Sequence, residues 1–257
     1  MRYYVTADVH GFFSELKAAL MNVGYFEDPQ PHKLIICGDL FDRGSEALQM
    51  QEFILDLLAR DEVILIRGNH EDLALQLLNR WHGKSWLEPS HQSNGTVDTV
   101  CQLTESTILD VFDYPDQVGR AYLKTPYIQT VIPSMVDYFE TEHYIFTHGW
   151  IPCRSENLGT NRAKYVLKEN WREADAYAWN RARWVNGIEA AHYGAIESGK
   201  TIVCGHWHTS FGHSKYEGRG SEFEADSDFS PYYGEGIIAL DACTSWSGTV
   251  NIIVLED

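Results

Sequence analysis

Basic residues are scarce in this chain: 20 Lys+Arg stand against 37 Asp+Glu, a net charge of −17. A field of that sign repels nucleic acid backbones and anionic membranes unless cations are concentrated locally, which disfavours a general polyanion-binding role. Cysteine supplies no scaffold either. The five cysteines, Cys37, Cys101, Cys153, Cys204 and Cys243, are odd in number and form no C-x-x-C pair, and the pattern reads as packed thiols in a reducing compartment. No apolar run approaches the ~20 residues of a membrane-spanning helix. The opening residues Met1-Arg2-Tyr3-Tyr4-Val5 enter a strand with no basic-then-apolar leader. The expectation is a soluble, cytoplasmic protein with neither a membrane nor a nucleic-acid partner. An internal repeat and a dividing linker are also missing. With 257 residues, 44% of them hydrophobic, the chain is expected to form one large domain over 1–257, its oligomeric state unmarked.

What is present is an alternation of strands and helices. Tyr3 to Ala7 reads as a strand, followed by a helix from about Glu15 to Val23 that Ser14 can cap and Gly24 stops. The unit repeats with a strand at about Lys33 to Cys37 and a helix at Ser45 to Ala59 carrying Leu48, Ile54, Leu55 and Leu58 on its apolar side. It repeats again with Glu62 to Ile66 and a helix at Glu71 to Arg80. Regularity fades over about 81–125, which reads as an insertion or lid with one helix near Val97 to Leu103. Met135–Phe139 and His143–Phe146 read as a hairpin, about 154–195 as a helical segment, and Glu217 to Asp228 as an acidic loop. Further strands are expected at Thr201–Cys204, Ile237–Leu240 and Thr249–Leu255. The fold class is therefore α/β, with functional groups beyond the carboxyl ends of the strands.

Five apolar runs end in polar clusters next to glycine: Asp8-Val9-His10, Gly38-Asp39-Leu40-Phe41-Asp42-Arg43-Gly44, Gly68-Asn69-His70-Glu71, Thr147-His148-Gly149 and Gly205-His206-Trp207-His208. Unpaired buried carboxylates are costly, so a strand that delivers Asp39 and Asp42 to its end makes chemical sense if a cation waits there. Asp39 is the candidate central ligand. A mixture of carboxylate, imidazole and amide oxygen suits manganese, iron or zinc, whereas magnesium would favour a set made mostly of oxygen. Two metals sharing a ligand lie about 3.5–4 Å apart, which requires donors converging from several strands.

In their order and spacing these motifs resemble the metallo-dependent, calcineurin-like phosphoesterases, and more narrowly their phosphoprotein phosphatase branch. The resemblance implies a central β-sandwich of mixed sheets flanked by helices. It implies that Asp8, His10 and Asp39 hold one divalent metal, that Asp39, Asn69, His148 and His206 hold a second, and that a hydroxide shared between the two attacks phosphorus. By the same resemblance His70, oriented by Asp42, protonates the leaving oxygen, and Arg43 binds the phosphoryl group. A second arginine clamp is expected at Trp179-Asn180-Arg181, with Arg183 as the alternative to Arg181. His208 departs from the branch but matches the Gly-His-x-His ending of the wider superfamily, which implies a further ligand to the first metal.

The motifs name a reaction and leave its substrate open. A Ser/Thr-type protein phosphatase, manganese-dependent in vitro, stands first, with a phosphorylated protein or small phosphoester as its partner. A nucleotide or dinucleoside polyphosphate hydrolase is the alternative. A metal-stabilised phosphate- or partner-binding module without turnover is the reading from another class, and the intact His70, Asp42 and Arg43 speak against it. The remaining histidines, His32, His82, His91, His143, His192 and His213, sit in no motif and read as structural or exposed. The aromatic residues from Trp171 to Trp184 read as helical packing in preference to a substrate pocket.

Overall fold

The computed structural model describes residues 1–81, 87–157 and 163–257. The first half follows the strand–helix alternation closely: β1 (Arg2–Thr6), α1 (Phe13–Asn22), β2 (His32–Cys37), α2 (Ala47–Ala59), β3 (Val63–Ile66) and α3 (Asn69–Arg80). Four short helices follow, α4 (Pro89–Ser93), α5 (Thr96–Thr104), α6 (Ile108–Asp113) and α7 (Pro115–Leu123), and then α8 (Ile132–Ser134). The second half holds the hairpin β4 (Phe139–Glu140) and β5 (Tyr144–Phe146), the ribbon β6 (Cys153–Asn157) and β7 (Ala163–Leu167), and helices α9 (Ala176–Ala182) and α10 (Gly187–His192). It closes with β8 (Thr201–Cys204), α11 (Thr209–Gly212), β9 (Tyr232–Gly234), β10 (Ile237–Ala239), α12 (Thr244–Ser247) and β11 (Ile253–Glu256).

Two mixed sheets stack face to face, one ordered β11-β1-β2-β3 and the other β4-β5-β8-β10-β9. Side chains on a strand alternate between faces, and that period sorts the core into layers. Tyr3, Val5, Ile35 and Cys37 point between the sheets, where they meet Phe146, Val203, Ile238 and Leu240. Their neighbours Tyr4, Leu34 and Ile36 point outward onto Leu16 and Leu20 of α1 and Met50 and Ile54 of α2. On the far side Ile145, Ile202 and Ile237 bury Trp150, Trp179 and Ile188. The parallel pairs β1–β2, β2–β3, β5–β8 and β8–β10 bring the carboxyl ends of both sheets to one edge of the sandwich.

Several expectations are corrected. The stretch 81–125, expected to be irregular apart from one helix, is mostly helical where described. Val97, Val100, Leu103, Val111, Val118 and Tyr122 belong to the same apolar cluster as Leu34 and Ile36. Helices of five to nine residues broken by Gly and Pro are too short for apolar periodicity to stand out. Residues 82–86 of that stretch lie outside the described residues. Within 154–195 the expected helical character begins with a 3-10 turn at Trp171–Glu173 and continues in α9; before it, β6 and β7 pair antiparallel, with 158–162 outside the described residues. Ser14 is no cap, because α1 already starts at Phe13 and the Ser14 N–H and hydroxyl donate to Glu46 at 2.9 and 2.6 Å. The buried face of α2 is Ala47, Met50, Gln51, Ile54 and Leu57, while Leu48 is exposed. The first hairpin strand shrinks to Phe139–Glu140, and Val136 instead extends the first sheet by bridging Ile66.

The outer edge of the second sheet is fastened by charge. Arg172 grips both oxygens of Glu140 at 2.7 and 2.8 Å and reaches Glu197 at 3.0 Å, and Lys200 approaches Glu140 at 2.9 Å. The Arg172 hydrogen bonds hold the Glu140 carboxyl down at about 2. A carboxylate with a depressed folded-state pKa stabilises above its unfolded value, near 4.3, and that contribution fades as pH falls towards 2. Arg172→Ala is expected to cost about 1 kcal/mol at pH 7, the upper range for a half-exposed network. Urea denaturation from pH 7 to pH 3 should show the gap from wild type constant above about pH 5 and closing below it.

Candidate metal centre

At the shared edge the chain is bent into unusual conformations. Among the described residues ten non-glycine positions have positive φ, and six of them are Asp8, His10, Asp39, Asp42, Arg43 and His206. Left-handed backbone at a bulky residue costs energy and persists where surrounding contacts over-determine it. Here those contacts are hydrogen bonds between the strand-end loops: His10 N–H to the Asp39 carbonyl at 2.9 Å, Gly11 N–H to Leu40 at 2.7 Å and Gly44 N–H to His10 at 2.8 Å. The result is that polar side chains from β1, β2, β3, β5 and β8 turn towards one another.

Asp39 is the point of convergence. Its carboxylate belongs to two groups of candidate ligands, one with His10 and His70 and one with His148 and His206, with ligand atoms in each group within 4.8 Å of one another. His10 Nε2 is 3.8 Å and His70 Nε2 3.7 Å from Asp39 Oδ2, and His148 Nε2 is 3.4 Å from Oδ1. The ring contacts fix which atoms face inward. His148 Nδ1 lies 2.8 Å from the Cys37 carbonyl, and His10 Nδ1 lies 2.9 Å from the Phe41 carbonyl. A ring that donates its Nδ1–H to a carbonyl presents the bare Nε2 lone pair inward, the usual posture of a metal-ligating histidine. In that tautomer His148 Nε2 meets Asn69 Oδ1 at 2.7 Å, acceptor against acceptor with the amide placed as it is. A cation between them resolves the clash.

Electrostatics point the same way. Asp8, Asp39 and Asp241 are all buried at this edge. Burial, then the charges of Asp241 and Asp39, push the Asp8 carboxyl well above its ordinary range, and burial also raises Asp241. Burial would raise Asp39 as well, but the surrounding His148, His70, His10 and His206 hold it low. Burial, and then its neighbour His148, lowers His206 to about 3; burial, and then His70, lowers His10 well below its usual value. Neutral imidazoles and crowded carboxylates are the donor set that divalent cations take. His70 differs. Burial opposes its charge, yet Asp39 and the Asp42 hydrogen bond outweigh that and raise its pKa. Its Nδ1 lies 2.8 Å from Asp42 Oδ2, and its Nε2 is 3.5 Å from Arg43 Nη2.

The remaining sequence candidates are placed as follows. Asp8 lies outside both ligand groups; its Oδ2 accepts the His206 backbone N–H at 2.8 Å, and a Cβ on Gly205 would overlap that oxygen. His208 lies outside both ligand groups, its Nε2 2.7 Å from Glu222 Oε1. Arg43 and Arg181 are exposed. Arg183 is buried and committed to Asp72 and Asp137 at 3.1 and 2.7 Å, whereas Arg181 makes only a long contact to the Tyr177 hydroxyl at 3.5 Å. Of the two arginines, Arg181 is the one open to a ligand.

Residues outside the quoted roles hold this arrangement. Glu71 accepts the backbone N–H groups of Gly68, Leu40 and Asp39 at 2.7, 3.0 and 3.2 Å, tying the β2 and β3 loops together. Burial, then the Asp39 charge, raises it to about 7. Thr96 and Thr99, on α5, donate to Asp42 Oδ2 and Oδ1 at 2.9 and 2.7 Å, and Asp42 N–H donates back to Thr99 at 3.0 Å. Nothing in the local sequence marks these threonines. Asp241 did carry a signal: like Asp39, it closes an apolar run, Ile237 to Leu240.

The profile of the calcineurin-like phosphoesterase family matches residues 1–228. The symmetrical bis(5'-nucleosyl)-tetraphosphatase of Serratia proteamaculans is 37% identical across 100% of this chain and 92% of its own length. That of Pseudomonas putida is 30% identical across 98% and 89%. Serine/threonine-protein phosphatase 1 of Salmonella typhimurium is 37% identical over 84 residues, which are 33% of this chain and 36% of that protein. Among solved structures, a cold-active protein-tyrosine phosphatase of a Shewanella species shares the fold with a TM-score of 0.56 at 16% identity, covering 100% of this chain and 75% of that one.

The threonine clamp on Asp42 can be tested without a substrate. Thr99→Val removes a hydrogen bond to a buried carboxylate and an acceptor for the Asp42 N–H, and is expected to cost about 1.5–3 kcal/mol by urea denaturation. Thr99→Ser, which keeps the hydroxyl, should recover most of that.

Proposed function

The chain belongs to the calcineurin-like phosphoesterase family and hydrolyses phosphoester bonds; from that premise we propose that it acts on nucleoside polyphosphates at a centre of two divalent cations. The observation that carries the centre is the membership of Asp39 in both ligand groups. The residues fit such cations: Asp8, His10 and Asp39 would hold one, and Asp39, Asn69, His148 and His206 the other, with Asp241 and His208 adjacent. Bound there, two cations supply an acidified water and neutralise phosphoryl charge. The chain's own residues do the rest. Asp42, gripped by Thr96 and Thr99, keeps His70 Nδ1 protonated and the ring fixed, so that a proton on Nε2 is available to the departing oxygen. Arg43, exposed beside His70, and Arg181 would take the equatorial phosphoryl oxygens.

The substrate class is argued from extent. Relatives aligned over essentially the whole chain are symmetrical bis(5'-nucleosyl)-tetraphosphatases. The likeness to serine/threonine-protein phosphatase 1 spans only a third of it. Phosphoprotein hydrolysis is the second reading, favoured by that shared stretch and by the strand-end motifs. Against the net charge of −17, a polyanionic substrate needs local cations, which Arg43, Arg181 and the centre would provide.

Metal-loaded enzyme tested on diadenosine tetraphosphate, nucleotides and phosphopeptides should show the highest kcat/KM on the dinucleotide; a preference for phosphopeptides would replace this reading with the second. His70→Asn should retain full metal content while lowering kcat by about 100- to 10,000-fold on a substrate with a poor leaving group. Unchanged turnover with both metals bound would remove His70 from the mechanism.

A further inference from the structure

Beside the centre, between α9, α10 and α11, lies a cavity of about 550 Å³, within the size range of small-molecule sites. Its walls are aromatic and carry both signs of charge: Trp184, Trp207, Phe211 and Tyr165 with Arg181, Lys215 and Glu189, Glu189 pairing with Lys215 at 3.3 Å and accepting the Tyr165 hydroxyl at 2.6 Å. It adjoins the candidate ligands directly. The Trp184 ring meets His206 edge-on with centroids 5.8 Å apart, and Trp207, the next residue in the chain, lies 5.9 Å from the same ring. Trp184 nevertheless leaves 49% of its surface open, a poor arrangement for a residue whose only task is packing. The Trp207 indole N–H is buried with no acceptor among the described residues. Lys215 Nζ sits 4.6 Å above the Phe211 ring, so the wall offers both a flat π-face and positive charge.

We infer that this cavity is the subsite for a nucleobase, stacked on the open Trp184 and bordered by Phe211, with its phosphate chain running past Arg181 to the centre. The inference rests on the nucleotide reading above and names where that reading's specificity resides. A nucleobase presents a π-face that an open aromatic ring can stack on, whereas the side chain of a phosphoserine carries no ring. Base–aromatic stacking is also the usual device by which proteins hold bases without reading every edge. The cations match the other half of a nucleotide. In a chain this acidic the exposed Arg181 at the cavity offsets the repulsion of a phosphate, while Lys215 is paired with Glu189.

The test is binding, so that it does not depend on turnover. Titration calorimetry on the metal-loaded full chain compares ADP with pyrophosphate. Wild type should bind ADP at least about five-fold more tightly, the lower range for one stacked base. Trp184→Ala should abolish most of that preference at unchanged metal content, and Trp184→Phe should restore it. If Trp184→Ala loses metal, Phe211→Ala is read in its place with the same expectation. Wild type that binds ADP no better than pyrophosphate overturns the inference whatever the enzyme hydrolyses, as does an ADP preference that survives the alanine variants. A preference for a phosphoserine peptide over ADP that disappears in Trp184→Ala also overturns it. An ADP preference lost in Trp184→Ala, together with hydrolysis confined to phosphopeptides, leaves the subsite standing and refutes only the substrate reading.

Discussion

Three carboxylates buried at one edge of a sandwich are the constraint on which the rest of the structure turns. Asp8 and Asp39 come from the first sheet and Asp241 from the second, so the stacking of the sheets is what presses like charges together. Uncompensated, such a cluster would cost several kcal/mol for each ion removed from water. Part of the compensation is internal, since four imidazoles surround Asp39 and hold its carboxyl low. Asp8 and Asp241 have no such ring, and both are pushed up by burial. The unmet part of the charge balance, together with imidazole lone pairs turned towards acceptors, is the physical basis for reading the edge as a cation site.

The crowding also explains where the backbone is strained. Left-handed conformations at Asp8, His10, Asp39, Asp42, Arg43 and His206 turn side chains inward that a regular strand end would point apart. Each such residue forgoes a relaxed backbone, so the loops must be pinned from outside. Glu71 pins the β2 loop to the start of α3, and Thr96 and Thr99 pin Asp42. The helices of 89–123 thus serve the site and the core together: α5 buries Val97, Val100 and Leu103, and with them Thr96 and Thr99, whose hydroxyls hold Asp42. This element thereby sets the orientation of Asp42, the partner of His70 Nδ1.

How much of this is legible in the sequence follows from the range of each interaction. Strand ends such as Ile36-Cys37-Gly38-Asp39 announce themselves because the apolar run, the glycine and the carboxylate are contiguous. Strand–helix alternation through Arg80 is legible for the same reason, period 2 giving way to period 3.6 over long segments. The short helices of 89–123 are not, since none spans enough turns to display a face. The Thr99–Asp42 bond joins residues 57 positions apart and leaves no mark on either. Choosing Arg181 over Arg183 likewise required seeing Asp72 and Asp137 claim the buried guanidinium. Asp241 was legible in principle, as a further carboxylate closing an apolar run, but it lacks the nearby glycine and the histidine or arginine that mark the other strand ends.

The two rims of the edge consequently carry different burdens. On the α5 side Asp42 is held by two hydroxyls, Glu71 by three amides and His70 by Asp42. These groups are fixed by their neighbours, which suits the proton-holding role proposed for His70. On the α9–α11 side Trp184 and Arg181 are exposed, and their chemistry is aromatic and cationic. Phosphoester cleavage asks the same of the first rim whatever the alcohol or nucleotide that leaves. Discrimination between a phosphopeptide and a nucleoside polyphosphate must therefore come from the second. The motifs that identify the reaction lie on strand ends, where the charge balance leaves little freedom. The residues proposed to select the substrate, Trp184 and Arg181, lie at the end of the short helix α9.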